Sequence, residues 1–66
     1  MVIDEPLLAV YREFSTAALL DLRIAFILDR AAATRPETQA FCVGRLAVID
    51  AVLHERANRE RSDAVL

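Results

Sequence analysis

Apolar and polar residues follow each other along this chain with the period of an α-helix. In the first half, apolar side chains including Leu7, Phe14 and Leu28 fall on one broad face when successive residues are placed about 100° apart. The same period resumes after a short break in the middle of the chain. The pattern predicts a first helix over about 5–32, a turn at 33–35 and a second helix over about 36–61.

The break in the middle of the chain has the features of a helix start. Thr34 and Glu37 have the spacing of a capping box, and Pro36 falls in the first turn of the second helix, where its missing N–H costs nothing. A connection this short makes consecutive helices antiparallel neighbours. The sequence therefore predicts an all-α fold, a two-helix antiparallel hairpin that forms a single domain over 1–66.

The chain is short and very apolar. It has 66 residues, of which 56% are hydrophobic, and Cys42 is its one cysteine. Domains of this size often need a disulfide, a metal or a partner chain for stability. A lone cysteine rules out an intrachain disulfide and a cysteine-based zinc site. We therefore expect self-association to complete the core.

The second predicted helix carries more apolar surface than one inner face can cover. Cys42 and Ile49 belong to one apolar seam, whereas another on a different side of the helix is formed by Phe41, Val48 and Val52. Burial is worth about 25 cal/mol per Å² of apolar area, so a partner should cover the second seam. We expect an interface formed by the outward apolar residues of both helices: Phe41, Val48, Val52, Leu20 and Ile27.

Two partners would cover this surface. Two hairpins can pack as a four-helix bundle, and a two-fold dimer is the commonest closed oligomer. A helix of another protein can lie in the same place. The predicted partners are therefore the chain itself, as a homodimer, or another helical protein.

Small side chains form a stripe on each predicted helix. Ala18, Ala25 and Ala32 recur every seven residues on the first helix, and a matching stripe of alanines surrounds Gly44 on the second. Facing small residues let two helix backbones approach closely. We expect these stripes to form the contact within the hairpin, although alanine also recurs simply because it is a good helix former.

Three polar residues form a candidate cluster. Asp21 lies within the broad apolar face of the first helix, and the hairpin register places it opposite Asp50, with His54 one turn further on. Carboxylates and histidines on facing helices are the donors of di-metal bundles, although those bundles use Glu-x-x-His pairs. The alternatives are a solvated histidine ion-paired with an aspartate, or a buried Asp21 that fixes the register.

Arginines lie along one side of each predicted helix. Arg12, Arg23 and Arg30 fall within a narrow wedge of the first helix, and Arg45 and Arg56 lie on one side of the second. Such a strip is a candidate anion-binding site for phosphates or for an acidic partner. The net charge of −2 and the absence of interleaved aromatic residues argue against nucleic acid and favour a solvated face.

No residues form a catalytic pattern. Cys42 lies on an apolar seam without a neighbouring base, so we expect neither an enzyme nor a cofactor. The most apolar run, Ala17–Leu28, contains two charges and is shorter than the roughly 20 residues of a membrane span, so we expect no span and a cytoplasmic protein.

Together these features predict a small non-enzymatic helical protein that acts through protein–protein helix packing. A homodimeric interaction, a regulatory role or an assembly role would each fit this class. The alternatives are a nucleic-acid-binding dimer that uses the arginine strips and a metal-binding helical bundle.

Overall fold

The computed structural model describes residues 4–65, which form three helices. α1 spans Glu5–Arg12, α2 spans Thr16–Ala32 and α3 spans Pro36–Val65. α1 and α2 both pack against α3, and the molecule is elongated, with principal extents of 48 × 22 × 18 Å. The all-α prediction is confirmed, whereas the two-helix hairpin is not. Among the described helices, none combines the length and apolar character needed to cross a membrane.

The prediction of one continuous helix over about 5–32 is wrong, because the chain turns at residues 13–15. Ser15 is extended, with φ −65° and ψ 157°, and its side-chain oxygen accepts a hydrogen bond from the Ala18 N–H at 3.1 Å. A serine in this position satisfies one of the unpaired donors at a helix start. At the end of α1, backbone N–H groups bond to carbonyls three residues earlier, which tightens the last turn. The corner therefore forms without glycine or proline.

Side chains also fix other helix ends. Asp4 caps α1 by accepting a hydrogen bond from the Leu7 N–H at 3.2 Å. Between α2 and α3, Gln39 Nε2 donates to the Ala33 carbonyl at 3.1 Å. α3 continues to Val65, past the end predicted near residue 61.

The hydrophobic core lies where α1 and α2 meet α3. Leu19, Ile49 and Val52 are the largest fully buried side chains. Tyr11 packs edge-on against Phe14, with ring centroids 5.4 Å apart, which ties α1 to the corner that follows it. The buried core cluster draws on all three helices: Leu8, Tyr11, Leu19, Val48, Ile49 and Val52.

Val48 and Val52 do not face outward as predicted. They are only 3% and 1% exposed. The break at 13–15 explains this burial, because α1 packs on α3 as a separate helix and its Leu8 and Tyr11 join the cluster around the two valines. One chain therefore buries the first apolar seam of α3 and the two valines of the second, whereas Phe41 of the second seam stays exposed.

The small-residue stripes contribute only in part to the contact between the helices, since Ala18, Ala47 and Ala51 are half-buried and the other members are exposed. A Cβ built at Gly44 would meet no atom within 4 Å, so Gly44 faces open space. Ala25, Ala32 and Ala40 are exposed as well. Larger aliphatic side chains occupy much of the contact, because their burial removes more apolar area from water.

The buried core predicts that valine-to-alanine substitutions at two positions differ strongly in their effect on stability. Val52 is 1% exposed and Val10 is 52% exposed. We expect Val52→Ala to lower the free energy of unfolding by about 2 kcal/mol, because it removes two carbon atoms from the core and leaves a cavity. Val10→Ala should change it by less than about 0.5 kcal/mol. Urea unfolding followed by circular dichroism measures both, and equal effects would contradict this core.

Candidate functional site

Arg56 of α3 closes the corner between α1 and α2. Its Nη2 donates to the carbonyls of Phe14 at 2.6 Å and Arg12 at 3.2 Å, and its Nη1 donates to Thr16 Oγ1 at 2.8 Å. The last carbonyls of a helix have no partner within the helix, and a guanidinium with five donors can serve several of them at once. Arg56, which the sequence placed on a solvated strip, therefore has a structural role.

Arg12 and Glu55 form an ion pair beside this corner. Arg12 Nη2 lies 2.9 Å from Glu55 Oε1, and Arg12 Nε lies 3.3 Å from Glu55 Oε2. Hydrogen bonding from Arg12, reinforced by its charge, lowers the pKa of Glu55, and the same hydrogen bond raises the pKa of Arg12. The pair fastens the end of α1 to α3.

The candidate polar cluster does not assemble. Asp50 instead pairs with Arg23, whose Nε lies 2.8 Å from Asp50 Oδ1. Residues 21 and 23 are about 200° apart around a helix, so Asp21 lies on nearly the opposite side of α2 from Arg23. Asp21 and His54 are exposed, and the described part of the chain contains no group of three His, Cys, Asp or Glu side chains that could hold a metal.

The candidate anion-binding strip is largely neutralised. Arg12 and Arg23 are engaged by carboxylates, and only Arg30 of the three predicted residues forms no ion pair within residues 4–62. Arg30 lies beside an open groove of about 370 Å³ between α2 and α3. The groove is lined by both charged and apolar side chains: Arg23, Ile27, Arg30, Val43, Leu46, Ala47 and Asp50.

An apolar and exposed surface of α2 extends from the side that faces away from α3 to Ile27, which also lines the groove between α2 and α3. Leu28 is 63% exposed, Ile24 57%, Leu20 46% and Ile27 41%. At about 100° per residue, this surface occupies roughly 100° of the helix circumference. We call it the outer face of α2 and define it by six residues: Ala17, Leu20, Ile24, Ile27, Leu28 and Ala31.

Phe41 lies apart from this surface, on α3. It is 54% exposed, and its ring packs edge-on against Phe26 with centroids 6.2 Å apart. The guanidinium carbon of Arg45 lies 4.7 Å from the centroid of the Phe41 ring, in a cation–π contact. Phe41 is therefore already partnered on two sides within the chain.

The predicted interface residues thus separate into three groups. Leu20 and Ile27 lie on the outer face of α2, Phe41 lies elsewhere, and Val48 and Val52 are in the core. Ile24 and Leu28 also lie on the outer face, although the sequence did not include them in the predicted interface. Ile24 is about 200° around the helix from Leu22, which packs against the core.

Comparison of the chain with known protein families, with curated proteins and with solved structures finds no match. The functional interpretation is therefore based on the surfaces of the molecule itself.

The contacts of Arg56 with the corner predict that Arg56 contributes more to the stability of the fold than Arg59 does. Arg56→Ala leaves the Phe14 and Arg12 carbonyls without their donor and should lower the free energy of unfolding by roughly 1–3 kcal/mol. Arg59→Ala, an exposed substitution one turn away, should change it by less than about 0.5 kcal/mol. Chemical denaturation compares the two variants. An Arg56→Ala protein as stable as the Arg59→Ala protein would contradict this role.

The Arg12–Glu55 pair predicts a pH dependence with a definite sign. Because the pKa of Glu55 is lowered from its ordinary value of 4.5, the pair stabilises the fold above pH 4.5, and this contribution is lost as the pH falls through the lowered folded pKa. The difference in unfolding free energy between wild type and Glu55→Gln should be constant near neutral pH and shrink in acid. Glu60→Gln is the control, since Glu60 forms no ion pair within residues 4–62. A constant difference down to strongly acidic pH would contradict the pairing.

Proposed function

We propose that this chain is a small non-enzymatic helical protein that acts by helix packing, with the outer face of α2 as its binding surface. The observation that carries the proposal is that four large aliphatic side chains lie together on this face with exposures of 41–63%. No charged residue interrupts the face. Contiguous exposed apolar patches on soluble proteins mark sites of interaction with other molecules.

The free energy available on this face is considerable for a chain of this size. Full burial of a leucine or isoleucine side chain is worth roughly 1.5–3 kcal/mol, so burial of the exposed half of each would contribute on the order of 1 kcal/mol. The four residues together would contribute roughly 4 kcal/mol. The stability of a whole domain is roughly 5–15 kcal/mol, so a binding partner would strongly affect how this chain behaves.

The outer face is also available, since the fold does not use it. The core cluster is formed by the opposite side of α2 with α1 and α3. Val48 and Val52 of the second seam of α3 are buried within the chain and Phe41 alone of that seam is exposed, so a partner would contact α2 and not the whole second seam that the sequence predicted. A second copy of the chain and a helix of another protein both fit this surface, in a regulatory or an assembly role.

The contacts give less support to the other two functions. Nucleic-acid binding needs free positive charge, and Arg12 and Arg23 are engaged by Glu55 and Asp50. A metal-binding bundle needs converging ligands, and Asp21, Asp50 and His54 do not converge. Neither the arginine strip nor the polar residues offer a free binding surface comparable to the outer face of α2.

A paired charge substitution tests whether the outer face is a free binding surface. Ile24→Glu with Leu28→Lys places opposite charges four residues apart, an arrangement that stabilises a helix by about 0.2–0.5 kcal/mol and keeps the net charge unchanged. The variant should therefore keep its helix content and thermal stability. Wild-type protein at low concentration should bind the apolar dye ANS, and the variant should lose most of that binding.

The matched control is Asn58→Glu with Ser62→Lys, which makes the same pair of charges at exposed positions of α3. This control should bind ANS like the wild type. If Ile24→Glu/Leu28→Lys unfolds the protein while the control does not, the outer face is part of the fold and the proposed function is wrong. An absence of ANS binding by folded wild-type protein at low concentration would also contradict it.

A further inference from the structure

We infer that the partner of the outer face of α2 is a second copy of this chain, bound so that the two α2 helices run antiparallel. This inference rests on the proposed function, because it names the occupant of the same surface. Three observations carry it: the symmetry of the outer face, the surface area of the chain and the polarity of α2.

Five of the six residues of the outer face are arranged symmetrically about Ile24; the exception is Ile27, whose symmetry-related position is Asp21. Leu20 and Leu28 lie four residues to either side of it, and Ala17 and Ala31 lie seven residues to either side. A two-fold axis at Ile24, perpendicular to α2, would pair Leu20 with Leu28 of the second copy, and Ala17 with Ala31. The large side chains would then meet in the middle and the small ones at both ends. A two-fold interface needs this kind of self-complementary surface.

The surface area of the chain exceeds that of a compact monomer. The chain exposes 4947 Å², whereas a compact monomer of 7.4 kDa exposes about 4,200 Å². The excess of about 700 Å² is close to the roughly 800 Å² that each partner buries in a standard interface. The radius of gyration is also larger than that of a compact domain of this length, at 13.4 Å compared with about 10.8 Å. The elongated shape, with extents of 48 × 22 × 18 Å, accounts for part of this surplus, and the total is on the scale of the surface that one half of a stable dimer buries.

The polarity of α2 favours the antiparallel direction. Ser15 caps its positive N-terminal end, and Arg30 lies in its last turn. In an antiparallel pair the N-terminal end of each α2 lies beside the negative C-terminal end of the other, whereas a parallel pair places like ends together. α2 also runs antiparallel to α3 in the same chain, so the four helices would alternate in direction in the order α3–α2–α2–α3. Alternating directions are typical of helix bundles with short loops.

Sedimentation velocity over a range of concentrations tests the identity of the partner. Wild-type protein should sediment as a dimer of the 7.4 kDa chain at high concentration and dissociate on dilution. Ile24→Glu/Leu28→Lys should weaken dimerisation by at least about 100-fold, as expected for the loss of residues at the centre of an interface. The control Asn58→Glu/Ser62→Lys should dimerise like the wild type.

Cysteine cross-linking tests the direction of the helices. Full-length Leu20→Cys and Leu28→Cys proteins, mixed and refolded together, should join through a short thiol cross-linker, and neither should join to itself. Ile24→Cys should join to itself in either direction and serves as the positive control. Wild-type protein is the negative control, because its Cys42 is buried.

The outcomes separate this inference from the proposed function. A dimer in which Leu20→Cys cross-links to itself would overturn the antiparallel arrangement. A wild-type monomer at every concentration that still binds ANS through the outer face would overturn the second copy as partner and leave the proposed function in place, with the helix of another protein as the occupant. Binding of that monomer to phosphatidylcholine vesicles would overturn the inference in favour of a lipid surface.

Discussion

The contacts of Arg56 with the corner between α1 and α2 are the constraint on which the rest of the structure depends. A chain that turns at 13–15 leaves carbonyl groups at the end of α1 without partners, and the guanidinium of Arg56 binds two of them together with the Thr16 hydroxyl. Glu55, the preceding residue of α3, holds Arg12 in the same region. Two adjacent side chains of α3 therefore hold the corner that Ser15 caps at the start of α2.

This corner determines how the apolar surface is shared among the helices. Once α1 is a separate helix, Leu8 and Tyr11 can pack around Val48 and Val52, so a single chain buries the two valines that a partner was expected to cover. α2 uses its other side for the same core, so its outer face is left to solvent. The surplus of apolar residues in this sequence is thus concentrated on α2, and a partner that covers the molecule should bind there.

The sequence predicts the helical fold but not the corner, and the errors about the site follow from that omission. The helical period, Pro36 and the short connection were sufficient for the turn near residue 35, because each is a local signal. Ser15 is also a local signal, but a serine within a helical pattern is common, and the partner that stabilises this break lies 40 or more residues away on α3. Arg56 was therefore assigned to solvent. The sequence likewise places Asp50 in a polar cluster. The position of a residue around its own helix does not show which arginine of the neighbouring helix it faces.

The central claim is that the outer face of α2 is unnecessary for the fold and mediates association. The most direct measurement is nuclear magnetic resonance of the side-chain methyl groups as the wild-type protein is diluted. We expect the signals of Leu20, Ile24 and Leu28 to shift with concentration while those of the buried Val48 and Val52 stay constant. Shifts confined to α3, or the same signals at every concentration, would contradict this claim.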